Sequence, residues 1–176
     1  MKKARVIVIV ILLLLGAGFA YILLFEEAEK LSEAQEELVE TFGYPRQFSI
    51  SYLPYNEDEA NRTLMRTETW TYPDHQYEIT FIAGEIFSTE EITAETGDIT
   101  YSDLTPDLFE FEMDYDAVVE AIGSSTVEKV DATPELFIEG EVETYVSDHV
   151  FFTIEHGYLT YLETVGVELG EEEDES

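Results

Sequence analysis

The chain of 176 residues carries 40 Asp and Glu against 8 Lys and Arg, a formal net charge of -32. That balance excludes a nucleic-acid binder, whose phosphate contacts need clustered Lys and Arg. With 45% hydrophobic and 13% aromatic residues the chain is too apolar for an acidic disordered polypeptide, and the lack of cysteine excludes disulfides, thiolate metal sites and thiol catalysis.

Residues 1-5 (MKKAR) form a basic stub. Val6 to Phe25 (VIVIVILLLLGAGFAYILLF) follows as a charge-free run that would cross roughly 30 Å as a helix, the thickness of a bilayer core. Lys2, Lys3 and Arg5 before the run, with Glu26, Glu27 and Glu29 after it, predict an N-terminus on the cytoplasmic side. The expectation is a single-pass signal anchor over 6-25 that places the rest of the chain outside the cytoplasm. A cleaved signal peptide is the rival reading, with Gly18 and Ala20 as small residues near a cleavage point. It would leave the apolar stub Tyr21 to Phe25 on the mature chain. The glycine and glutamate of a prepilin processing site are missing.

All 40 acids lie beyond the anchor with five bases (Lys30, Arg46, Arg62, Arg66, Lys129), which leaves -35 on residues 26-176. Repulsion at that density opposes compaction in dilute salt. At molar salt the screening length falls to about 3 Å and the repulsion fades. The acidity therefore points to a halophilic adaptation, a domain exposed to concentrated salt outside the cell. An acidic surface that merely keeps a protein soluble normally intersperses both signs.

Residues 26-42 (EEAEKLSEAQEELVETF) predict a juxtamembrane helix, free of Gly and Pro and ended by Gly43 and Pro45. Leu24, Ala28, Leu31, Gln35, Leu38 and Phe42 follow heptad spacing, so a short coiled coil over 24-42 that forms a homo-oligomer or meets a membrane partner competes with an amphipathic helix packed on its own domain.

Residues 47-167 read as a β-rich extracytoplasmic domain. Gln47 to Leu53 alternates. Thr63 to Tyr72 puts Thr63, Thr67, Thr69 and Thr71 on one face and Leu64, Trp70 and Tyr72 on the other. Two hairpins are expected, 76-82 with 85-92 around Ala83-Gly84 and 149-155 with 158-165 around His156-Gly157. The second is assigned Phe152, Ile154, Leu159 and Tyr161 on one face, with Phe151, Tyr158 and Leu162 on the other. Only three identities align the hairpins, so they read as recurring turn chemistry, which does not establish a duplication.

Between them, 108-113 predicts a strand with Phe109, Phe111 and Met113 on one side. Asp114 or Asp116 then caps a helix running to Ile122 and Gly123. Residues 127-130, 136-138 and 142-147 predict further strands, and 168-176 an acidic disordered tail. The fold class expected is a transmembrane helix plus a mainly antiparallel β (α+β) ectodomain, as a sandwich, a barrel or a curved sheet with one short helix.

No catalytic or cofactor motif is present: there is no phosphate loop, nucleophile elbow, H-E-x-x-H or dinucleotide fingerprint. His75, His149 and His156 read as exposed turn residues, and the acidic clusters as solvated surface without a Ca-loop glycine. Catalytic, cofactor and metal residues are accordingly expected to be none. Asn61, in Asn61-Arg62-Thr63, is a candidate N-glycosylation site. Strand aromatics offer a candidate apolar ligand face of Trp70, Tyr72, Phe81, Phe109, Phe111, Phe152 and Tyr161, against the alternative of a buried core.

Three readings of function follow. The first is a non-enzymatic envelope interaction protein or accessory subunit with a membrane or surface protein partner. The second is a binding module for a lipid or other hydrophobic small molecule in a curved sheet. The third is a hydrolase using paired carboxylates.

Overall fold

The computed structural model describes residues 31-54, 64-93, 98-124, 126-131 and 142-168. The anchor over 6-25, Asn61, the strand expected at 136-138 and the tail from 169 lie outside the described residues. Among the described residues no helix is long and apolar enough to cross a membrane.

Helix α1 (Glu33–Phe42) leads into strands β1 (Gln47–Pro54), β2 (Leu64–Tyr72), β3 (Tyr77–Ile82) and β4 (Glu85–Glu91). A short strand β5 (Ile99–Thr100) and a 3-10 turn at Pro106–Leu108 precede helix α2 (Tyr115–Ile122). Then come β6 (Glu128–Val130), β7 (Val142–Ser147), β8 (Val150–Glu155), β9 (Tyr158–Thr164) and β10 (Val167–Glu168). Eight strands make one open antiparallel sheet in the order β4-β3-β2-β1-β9-β8-β7-β6, while β10 and β5 pair as a small ribbon. Among the described residues the sheet ends at β4 and β6, so it is not closed, and the two-stranded ribbon does not make a sandwich partner.

Each half of the sheet is built by the same succession of elements, a helix ended by a glycine cap and then a four-strand meander. The first is α1, Gly43 and β1 to β4; the second is α2, Gly123 and β6 to β9. The hairpins repeat in detail. Ala83-Gly84 and His156-Gly157 both adopt positive φ, as a primed two-residue turn needs. Two residues past each turn the register shifts by one, leaving Phe87 and Thr160 as extra residues without a strand partner. The repetition that three sequence identities could not establish is thus plain in the order of elements and in the bulge.

The bulge also corrects the expected faces of the second hairpin. Leu159 pairs with Ile154, but beyond Thr160 it is Leu162 that pairs with Phe152, while Tyr161 pairs with Thr153. One inserted residue inverts the alternation, so Leu162 points into the core and Tyr161 away from it.

The core lies between one face of the sheet and the helices. Phe48, Ile50, Trp70, Phe81, Phe152, Leu159 and Leu162 are buried there with Val118 of α2, and Leu31, Leu38 and Val39 pack against them. Cross-strand partners fix the opposite face. A row of Ile82, Thr67, Ser51, Tyr161, Thr153, Thr144 and Val130 crosses seven strands without a charge and ends at Glu85 on β4. The neighbouring row, Ser88, Thr80, Thr69, Ser49, Glu163, Phe151, Val146 and Glu128, has one interior carboxylate.

Three local expectations change. Of the helix expected over 26-42, residues 26-30 lie outside the described residues; among the described ones α1 starts at Glu33, because Ser32 is an extended N-cap whose Oγ accepts from the backbone of Gln35, and the Gln35 side chain accepts in return from the Ser32 N–H. Ser-x-x-Gln is a capping box. Residues 109-113 are not a strand: the carbonyls of Pro106 and Phe109 accept instead from the Arg66 guanidinium, at 2.8 and 2.6 Å. A side chain has taken the place of a neighbouring strand. There are also two short helices among the described residues of the domain, α1 being packed onto the sheet.

The glycine turns give a paired test. Gly157→Ala forces a side chain into positive φ with nothing within 4 Å to obstruct it, an expected loss of about 1 kcal/mol. At Gly84 the new Cβ would also sit 2.8 Å from the Ser32 Cβ. The Ser32 Oγ donates to the Gly84 carbonyl at 2.6 Å, so the α1 cap shifts too. Gly84→Ala is expected to cost about 2 kcal/mol or more. Thermal melts of the two variants in the same salt check this, and equal losses would show that the cap contact carries no stability.

Candidate functional site

Strand β2 places Leu64, Arg66, Glu68, Trp70 and Tyr72 on the face that meets the helices. Two charged residues therefore enter the core side by side. Glu68 is 3% exposed and both of its oxygens are engaged. Its Oε1 accepts from Arg66 Nε and Gln35 Nε2, each at 2.9 Å, and its Oε2 accepts from Trp70 Nε1 at 2.9 Å. Arg66 also donates to the Tyr52 hydroxyl at 3.2 Å. Through these two side chains the sheet holds α1 by Gln35 on one side and the 106-109 segment on the other. A buried carboxylate with every oxygen satisfied is a structural clamp.

The clamp sets where α1 ends. Its last turn carries Leu38 and Phe42 over the β2–β3 turn and the outer hairpin. Together with Tyr72, His75, Tyr77, Ile79, Ile86 and Thr89 they line an open apolar groove of about 260 Å³. Phe42 stacks obliquely on His75, ring centroids 4.7 Å apart, and on Tyr72 at 5.7 Å. Phe42, Tyr77 and Ile86 are 40%, 40% and 50% exposed, a concentration of accessible apolar surface on an acidic protein. The Tyr72 hydroxyl donates to the Gly43 carbonyl at 3.2 Å, and burial pushes its pKa up to about 12, so it is a neutral donor fixing the groove floor to the helix end.

The second half has a crevice at the corresponding place, between the end of α2 and the β7–β8 turn. It encloses about 450 Å³ and is more polar, with Ser102, Asp103, Ser124, Ser147, Asp148 and His149 among its lining residues. Asp148-His149 stands where Asp74-His75 stands in the first half. Among the described residues no three His, Asp or Glu side chains converge to hold a metal ion.

The predicted ligand-face residues fall in four places. Trp70, Phe81, Phe109 and Phe152 are completely buried between sheet and helices, with Trp70 and Phe81 rings 4.8 Å apart. Phe111 is partly buried against Tyr52, with Tyr158 on its other contact. Tyr161 stands on the opposite face, against Phe151 at 6.0 Å, its hydroxyl donating to Glu163 Oε2 at 2.8 Å. Only Tyr72 reaches the groove. The groove joins Phe42, a position of the expected heptad seam, to Tyr77 and Ile86 of the outer hairpin, residues scattered along the chain; the alternation of Tyr77 and Ile79 is the local signal for it. The coiled-coil seam residues Leu31, Gln35 and Leu38 engage the chain's own domain. His75 and His156 are exposed, as expected of turn residues, and His149 is partly exposed. No family model, curated protein or solved structure matches the chain.

Proposed function

We propose that the chain is a membrane-anchored, extracytoplasmic interaction subunit that works in concentrated salt without catalysing a reaction, and that it receives an apolar side chain of a protein partner in the groove beside α1. The observation that carries this reading is the groove itself. Phe42, Tyr77 and Ile86 remain 40%, 40% and 50% exposed, and they sit on a frame of helix end and hairpin. Aromatic anchors in a preformed depression are the usual centres of protein recognition. High salt favours such apolar contacts over ionic ones, because it screens charge pairs.

A lipid or other apolar small molecule in the same groove is the second reading, favoured by its almost wholly apolar lining. At about 260 Å³ the space is below the roughly 300–1,000 Å³ of typical ligand pockets, which favours a single side chain. The test is a benzoylphenylalanine photo-crosslinker at Tyr77 in native membranes at molar KCl. A discrete protein adduct, lost when Ile86 is replaced by Glu, is expected. Adduct formation with lipid alone would transfer the groove to the second reading, and no adduct at all would retire both.

A further inference from the structure

We infer that the outer edge of β4 takes an extended, basic and amphipathic segment of the partner protein as an added strand, which delivers its apolar side chain to the groove. The inference rests on the groove reading and names the chemistry of the occupant. Among the described residues β4 ends the sheet, with β3 on its inner side only. The Ile92 N–H donates to the Gln76 carbonyl at 2.9 Å, so the backbone of Ile92 faces β3. By strand alternation the N–H and C=O groups of Thr89 and Glu91 face outward, where an added strand would pair.

Side chains on β4 divide by face. Ile86 and Thr89 stand opposite Phe81 and Ile79 on the helix side and line the groove. Glu85 and Glu90 stand opposite Ile82 and Glu78 on the other side. A strand laid along β4 therefore sets alternate residues at the groove mouth and the residues between them against Glu85 and Glu90. That selects apolar groups toward α1 and Lys or Arg on the opposite face. Phe87, the bulge residue beside Ile86, is 71% exposed, the most accessible large apolar side chain among the described residues. Charge alone is enough to keep an edge from pairing. An exposed Phe in the middle of that edge adds nothing to such protection and suits a contact.

Charge decides between occupants. A second copy of this chain would bring a net charge of -32 to an edge that already carries Glu85, Glu90 and Glu91. The chain's own tail is no better suited, since residues 171-175 are all acidic. Like charges directly opposite on neighbouring strands destabilise pairing. Opposite charges in direct contact lie within roughly the 3 Å screening length of molar salt, so they still discriminate between partners there, although long-range steering is lost. Charge thus sets which strand fits, and the groove supplies the apolar contact that holds it.

The experiment uses the full chain in native membranes at molar KCl, with benzoylphenylalanine at Phe87 and the crosslinked peptide sequenced by mass spectrometry. The expected adduct is a segment of another protein that carries Lys or Arg alternating with apolar residues. Thr89→Pro removes an outward N–H that the β3 ladder does not use, so the melting curve should hold while the Phe87 yield falls by about tenfold or more. Glu85→Lys with Glu90→Lys should lower the yield by a similar factor, because bases then oppose bases; this variant decides the matter if Thr89→Pro melts early. An adduct with this same chain, with lipid alone or with a segment lacking Lys and Arg would overturn the proposal, as would no adduct or a folded variant with undiminished yield. Retention of the Tyr77 adduct in Thr89→Pro would mean that a side chain docks without strand pairing, which ends this proposal and leaves the groove reading standing. Absence of any adduct at Tyr77 removes the groove reading whatever Phe87 shows, so the two failures are separately visible.

Discussion

Glu68→Ala is expected to destabilise the domain by about 3–5 kcal/mol, the largest single-residue effect foreseen outside the aromatic core. The substitution removes a carboxylate 2.9 Å from the Arg66 guanidinium, whose side chain is 13% exposed. It also leaves the amide of Gln35 and the indole N–H of Trp70 without their acceptor. Glu68→Gln retains an acceptor but not the charge, and should lose about 2–3 kcal/mol. Denaturant titration at molar KCl gives both values. Because Arg66 and Glu68 act as one unit, Arg66→Ala and Glu68→Ala should be non-additive, the double variant falling short of the summed losses by more than about 1 kcal/mol. Additive losses, or a near-neutral Glu68→Ala, would refute the clamp. The expected local signature is weakened protection of the α1 amides, since Gln35 is the helix's buried polar tie to the sheet.

The second large effect concerns salt. Raising KCl from about 0.1 M to about 2 M should lift the melting temperature by more than about 10 °C, as the screening length shrinks from about 10 Å to below about 3 Å. The described surface shows why. The solvent side of α1 carries four glutamates, and its last turn has no basic residue to offset them or the helix dipole. The described ion pairs that involve Lys or Arg are few: Arg66 with Glu68, Arg46 with Asp74 and Lys129 with Glu143. KCl is the appropriate salt, because sulfate would strengthen apolar burial by exclusion and confuse the cause. A melting temperature that stays flat over this range would remove the salt argument while leaving the fold untouched.

Much of the sheet was legible because strands advertise themselves by alternation and by their turns. The Thr67, Thr69, Thr71 face, the two X-Gly hairpins and the Asp114 to Gly123 helix all stand where local chemistry put them. What escaped was non-local. The inversion at Tyr161 and Leu162 arises from one unpaired residue, which pattern reading cannot foresee. Phe109, Phe111 and Met113 do share a side, yet their backbone is tied partly to a side chain forty-odd positions away in sequence, so periodicity suggested a strand where none pairs. Arg66 and Glu68 could have been found: they sit on the same alternating face as Leu64, Trp70 and Tyr72, and a charge on a buried face signals a partner. Gln35 looked like a flaw in a heptad and is the residue that seats the helix. The groove was least legible, being assembled from a helix end and two hairpin strands.

The junction of the two halves has a bearing on how the chain folds. Each meander closes between neighbours in sequence, so its contacts are local and quick to form. The halves meet through β1 and β9, where only Ser49, Ile50 and Ser51 register with Glu163, Leu162 and Tyr161. Thr164 latches that seam, its Oγ1 accepting from the Phe48 N–H at 2.8 Å and lying 3.2 Å from the Phe48 carbonyl. These pairs span more than a hundred residues of chain, so zipping β1 to β9 is the late, entropically demanding step of assembly. The same short seam is where tension applied between the two ends of the domain would part the sheet first.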